Sequence, residues 1–201
     1  MRDAHNRPME WCKKVLKFRR LMAAVITSAM IFLTGAASAG QNDSRLDAMF
    51  NRLHELDDSR EAQKIELAIW QVWSKSGSET ADLLLARGGR AMTDQNFDLA
   101  MEVFTALIAL EPEFAEGWNK RATLHFMMGN FEASISDIER TLELAPRHFG
   151  ALSGLGQIYT IMERPKDAIE AYRRGLAANP FMRGARAIIE ALRKQIGERD
   201  I

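Results

Sequence analysis

Three histidines, His54, His125 and His148, lie downstream of residue 39 in this chain of 201 residues. No two of them stand at a spacing that would place both on one metal ion. The single cysteine, Cys12, lies far upstream, so the body of the chain offers no thiolate for catalysis, metal binding or a disulfide. Ser153-Gly154-Leu155-Gly156 is glycine-rich, yet no strand precedes it and no lysine follows, so it is no phosphate loop. No G-x-S-x-G marks a nucleophile. Asp57-Asp58 pairs two carboxylates in a turn, where helix capping explains them better than acid–base work. Trp70, Trp73 and Trp118 are numerous enough to wall a ligand cage, but two of them fall on packing positions. His125 reads as core packing and His148 as a solvent-facing turn residue. These residues predict no enzyme activity, no metal and no cofactor.

The elements that must hold them repeat. Pro112, Pro146 and Pro180 stand 34 residues apart, each closing a block of mixed apolar and polar residues. A constant period of this length predicts one helix hairpin per block, none able to bury its apolar face alone. The units are 81–114, 115–148 and 149–182. Small residues recur in the first helix (Gly88, Ala122, Gly156) and in the second (Ala100, Ser134, Ala168). Large ones follow them (Phe104, Ile138, Tyr172). Unit three adds Leu152, Leu155 and Tyr159; unit two has Trp118 at the first signature position. At these residues, over about half its length, the chain resembles the tetratricopeptide repeat (TPR) family. The resemblance implies an all-α, helix-hairpin solenoid. Residues 45–56 and 60–74 show helical apolar spacing and are expected to form a divergent N-terminal hairpin, with 76–78 as its joint to unit one. Residues 183–196 are expected to form one amphipathic capping helix, with Ala187, Ile188, Leu192 and Ile196 facing the array.

The resemblance also implies a site. First helices of such arrays line a concave face that takes extended peptides or partner helices. The positions that line it here are Gly89, Asn119, Lys120, Thr123, Phe126, Met127, Ser153, Gly154 and Gln157. Gly89 and Gly154 are mid-helix glycines that hairpin packing does not explain, and they leave room for a partner backbone. Asn and Gln side chains pair with a backbone as both donor and acceptor. The carboxylate-clamp positions of one subclass hold Leu85, Gly89, Gly150 and Gly154, with only Lys120 charged, which departs from that subclass.

Residues 1–20 are basic, 21–34 form an uncharged run, and Ala37-Ser38-Ala39 fits a small-residue cleavage site. This reads as a secretory signal peptide over 1–39, cleaved near Ala39, with an uncleaved inner-membrane anchor as the alternative. Downstream of it the chain has 20 basic and 25 acidic residues, and residues 164–201 alone carry nine basic and five acidic. The form resembles small periplasmic TPR proteins of Gram-negative bacteria. The expected role is a non-enzymatic envelope scaffold that binds a protein or peptide, not nucleic acid, and meets membrane only through an uncleaved leader. The alternative is head-to-tail self-assembly, with the basic tail of one copy on the acidic body of another.

Overall fold

Two turns of sequence chemistry, one at each end of the second helix, shape every repeat. Entering that helix, the backbone reverses through a left-handed residue: Gln95 (φ 57°), Gly129 (φ 75°) and Glu163 (φ 56°). Leaving it, Glu111, Ala145 and Asn179 are non-helical, and the proline after each blocks continuation.

The computed structural model describes residues 40–197, and every regular element among them is helical. The leader expected at 1–39 and the chain end at 198–201 lie outside the described residues. A short 3-10 turn, Gly40–Asn42, precedes α1 (Arg45–Glu55) and α2 (Ser59–Trp73). The repeats follow as α3 (Glu79–Thr93) and α4 (Phe97–Leu110), α5 (Ala115–Met127) and α6 (Phe131–Leu144), then α7 (Phe149–Ile161) and α8 (Pro165–Ala178). The last is α9 (Ala185–Gln195). Asp58, Ser78 and Asn96 cap α2, α3 and α4 through side-chain oxygens, and Pro165 opens α8 where its missing N–H costs nothing.

Each hairpin closes on a small residue. A methyl group on Gly88 would stand 2.4 Å from the Phe104 ring, and one on Gly156 would stand 2.8 Å from the Tyr172 ring. Unit two places Ala122 there, and Ser134 donates from Oγ to the Ala122 carbonyl at 2.7 Å, which lets a hydroxyl sit fully buried. Gly156→Leu is therefore expected to overpack unit three and cost about 1–3 kcal/mol. Thermal melting checks this, and an unchanged midpoint would refute the close approach.

The N-terminal helices depart from a stacked unit. Leu46, Phe50, Leu53, Ile69 and Trp73 form one apolar cluster with Phe149 and Ala178, and Phe181 and Met182 pack against it. The hairpin thus lies along the inter-unit ends of the array. Polar ties follow the same track: Arg147 to Asp47, His54 to the Ala177 carbonyl (2.9 Å), and Asn179 to Glu66 (2.6 Å). It lacks the small residues of a repeat hairpin at the signature positions, and its apolar face meets distant segments. The joint is Ser76-Gly77-Ser78, with Gly77 at φ 85°. Asp82 holds it by accepting from the Ser76 N–H and hydroxyl, both at 2.8 Å.

The terminal helix also differs from expectation. It starts at Ala185 because Gly184 is left-handed (φ 73°). Its buried stripe is Ala185, Ile189 and Leu192, set against Ala168, Ile169 and Tyr172. Ala187, expected inward, is exposed.

Candidate functional site

Helical spacing puts Asn119, Thr123, Phe126 and Met127 on one side of α5, and Gly150, Gly154 and Gln157 on one side of α7. Between them runs a cleft of about 320 Å³. Ala122, Ser134, Ile138, Ala151 and Ile158 form its floor. Of the expected groove residues, the structure brings six together here: Asn119, Thr123, Phe126, Met127, Gly154 and Gln157.

Gly154 is open. A methyl group there would meet only Ile138 Cδ1, at the ordinary contact distance of 3.7 Å. Gly89 is open as well, with nothing within 4 Å, but it lies on α3 and does not line this cleft. Gly150 differs from both. The Trp70 ring rests on it, and a methyl group would stand 2.4 Å from that ring. The N-terminal hairpin therefore covers one of the former clamp positions with its own side chain.

Lys120 and Ser153 stand off the cleft, and Asn119 is partly engaged within it. Lys120 is absent from the cleft wall; its Nζ pairs with Glu116 (3.2 Å) and stands over the Trp70 ring at 6.0 Å. Ser153 also stands off the cleft and meets Gln157 Nε2 at 3.4 Å. Asn119 does line the cleft, but it is 7% exposed and donates to Glu116 Oε2 at 2.9 Å. Its amide oxygen is the end left for a guest.

The polar centre beneath the hairpin was not legible from spacing. His148, expected at the surface, is fully buried. Its Nδ1 accepts from the Ala151 N–H at 3.1 Å and so caps α7. That assigns the ring proton to Nε2, which donates to Glu116 Oε2 at 3.1 Å. Trp73 stacks on the imidazole (centroids 4.1 Å, 12° between planes), and Trp70 meets it edge-on. Trp70 and Trp73 thus enclose the protein's own histidine. Trp118 is not with them; it donates to the Pro112 carbonyl (2.9 Å) and carries Arg121 over its ring. The one sequence hint was the pair Trp70 and Trp73, one helical turn apart in residues 60–74.

Burial pushes the Glu116 carboxyl up, but the hydrogen bond from His148 and the charge of Lys120 outweigh it and hold the group below its usual value of 4.5. A depressed carboxylate contributes stability above its unfolded value and loses it as pH falls through the folded value. Melting temperature is therefore expected to drop below about pH 4.5, starting from the ordinary carboxylate range. Glu116→Gln should flatten that drop; an unchanged pH profile would remove Glu116 as its source.

Among the described residues no cluster of His, Cys, Asp and Glu is suited to a metal, and no helix is long and apolar enough to cross a membrane.

Known proteins carry the same pattern. A tetratricopeptide repeat family model matches residues 113–180. A TPR repeat-containing protein of Rhizobium etli is 38% identical over 152 residues, covering 76% of this chain and 74% of that protein. The chain belongs to the tetratricopeptide repeat family. TPR arrays generally act as protein–protein interaction modules rather than enzymes. Solved structures share the fold. The first TPR domain of Spaghetti (RPAP3), bound to the HSP90 peptide SRMEEVD, superposes with a TM-score of 0.57 at 20% identity, over 60% of this chain and 95% of that one. MamA gives 0.56 at 22% identity, over 80% and 86%.

Proposed function

We propose that this TPR protein is a non-enzymatic adaptor of the bacterial envelope that receives a peptide or partner helix in the cleft between α5 and α7. The observation that carries this reading is Gly154. A glycine inside a helix costs about 1 kcal/mol against alanine, and here no neighbour requires it. Its use fits a floor that a guest backbone must approach closely. Asn119 then offers an amide oxygen from the cleft wall and Gln157 one at the rim, while Phe126 and Met127 offer apolar contact at one end. Peptide binding by the RPAP3 domain adds support of a general kind.

Gly154→Leu is the test. The side chain enters open space, so the fold is expected to hold, and a photo-cross-linker at Thr123 should lose its cross-linked partner in envelope extract. A variant that still melts cooperatively and still captures the partner would remove the cleft from the function. The envelope assignment rests on the leader read in residues 1–39, with cleavage near Ala39 giving a periplasmic protein and retention giving an inner-membrane adaptor. Fractionation with N-terminal sequencing separates the two, and a cytoplasmic protein that keeps its leader would overturn both.

A further inference from the structure

A second cleft, of about 520 Å³, opens between α6 and α8, the second helices of units two and three. Its floor is apolar, made by Leu142, Leu155 and Ala171, all buried. Its walls are acidic. Glu139 and Glu143 stand one turn apart on α6, and Asp167 and Glu170 stand likewise on α8. Arg174 is the one basic residue lining it. Glu143 and Asp167 are partly met by Arg140 and Arg164. Glu139 and Glu170 are exposed and make no ion pair among the described residues. An apolar trough between two rows of carboxylates suits a helix that carries an apolar anchor flanked by bases.

The chain itself displays a helix with an apolar anchor and bases to one side of it. On α3, Leu83 is 64% exposed. Arg87 and Arg90 follow on the same side, four and seven residues on, both exposed and without an ion pair among the described residues. The tail helix α9 is a poorer match. Its outer side sets Arg186 and Lys194 around exposed Ala187 and Ala191, so it brings charge but no large anchor.

We propose that the α6–α8 cleft docks α3 of a second copy of this chain, with Leu83 on the apolar floor and Arg87 and Arg90 against the carboxylates. The two surfaces differ, so the contact is heterologous. Each added copy leaves one cleft and one α3 free, and assembly grows with concentration. Paired surface charges make it salt-sensitive.

Sedimentation of the full chain tests this, at about 20 mM and about 500 mM salt, where screening lengths differ several-fold. The average mass should rise with concentration at low salt and return to one copy at high salt. Leu83→Ser/Arg87→Ser should weaken self-association at least tenfold, and so should Glu139→Ser/Glu170→Ser. Both sets of positions are exposed, and circular dichroism confirms the fold. Mixing the two variants should restore pairing and stop it at two copies, because the surviving pair of surfaces is used once. A chain that stays single at all concentrations would overturn the proposal. So would assembly that both variants retain, or variants that fail to pair when mixed. A chain that stays single yet binds a synthetic Leu-Arg amphipathic helix, in a manner lost in Glu139→Ser/Glu170→Ser, assigns the cleft to a different protein.

Discussion

Trp73→Ala is expected to cost about 3–5 kcal/mol, the range for truncating a buried tryptophan. Trp73 is 3% exposed and lies between the Phe50 ring on its own hairpin and the His148–Phe149 step of the array. Removing it leaves His148 and Glu116 open to water on one side. The loss should appear first in amide exchange, as faster opening of α1 and α2, while α3 to α8 keep their helices. Calorimetry gives the magnitude. A cost under about 1 kcal/mol, typical of surface substitutions, would mean that the hairpin is only loosely attached.

Asp137→Ala is expected to cost about 3 kcal/mol, the lower end for stripping one partner from a buried ion pair. Arg121 donates to both Asp137 oxygens, at 2.7 and 2.8 Å, and its side chain is 19% exposed. It occupies the place held by Leu155 in unit three. The double variant Arg121→Leu/Asp137→Ala replaces the orphaned cation with the apolar residue used there, and should melt near the wild type. If the double variant is as unstable as Asp137→Ala, the damage lies in the Asp137 site and not in an unpaired Arg121.

The repeat hairpins were readable because their physics is local. A glycine facing an aromatic side chain on the next helix, Gly88 with Phe104 or Gly156 with Tyr172, recurs at one period and needs no knowledge of the rest of the chain. Gly154 was readable for the opposite reason: no packing role claimed it. The docking of α1 and α2 was not readable. Their apolar stripes announce burial but not a partner, and the partner lies about a hundred residues away. A separation of 32 residues hid the tie between Glu116 and His148, which sit at different ends of unit two. Lys120 and Ser153 had the right helical phase for the groove, but phase does not reveal a nearer carboxylate or amide.

The track of the N-terminal hairpin bears on how this molecule comes apart. Arrays of this kind ordinarily hold together neighbour by neighbour and can fray from either tip. Here the ties from Asp47 to Arg147, from Glu66 to Asn179 and from His54 to Ala177 span 100, 113 and 123 positions. The opening segment acts as a clasp on the closing one, so the final unit cannot peel away alone. Closing so large a loop slows folding, and the clasp must open before the final unit can fray.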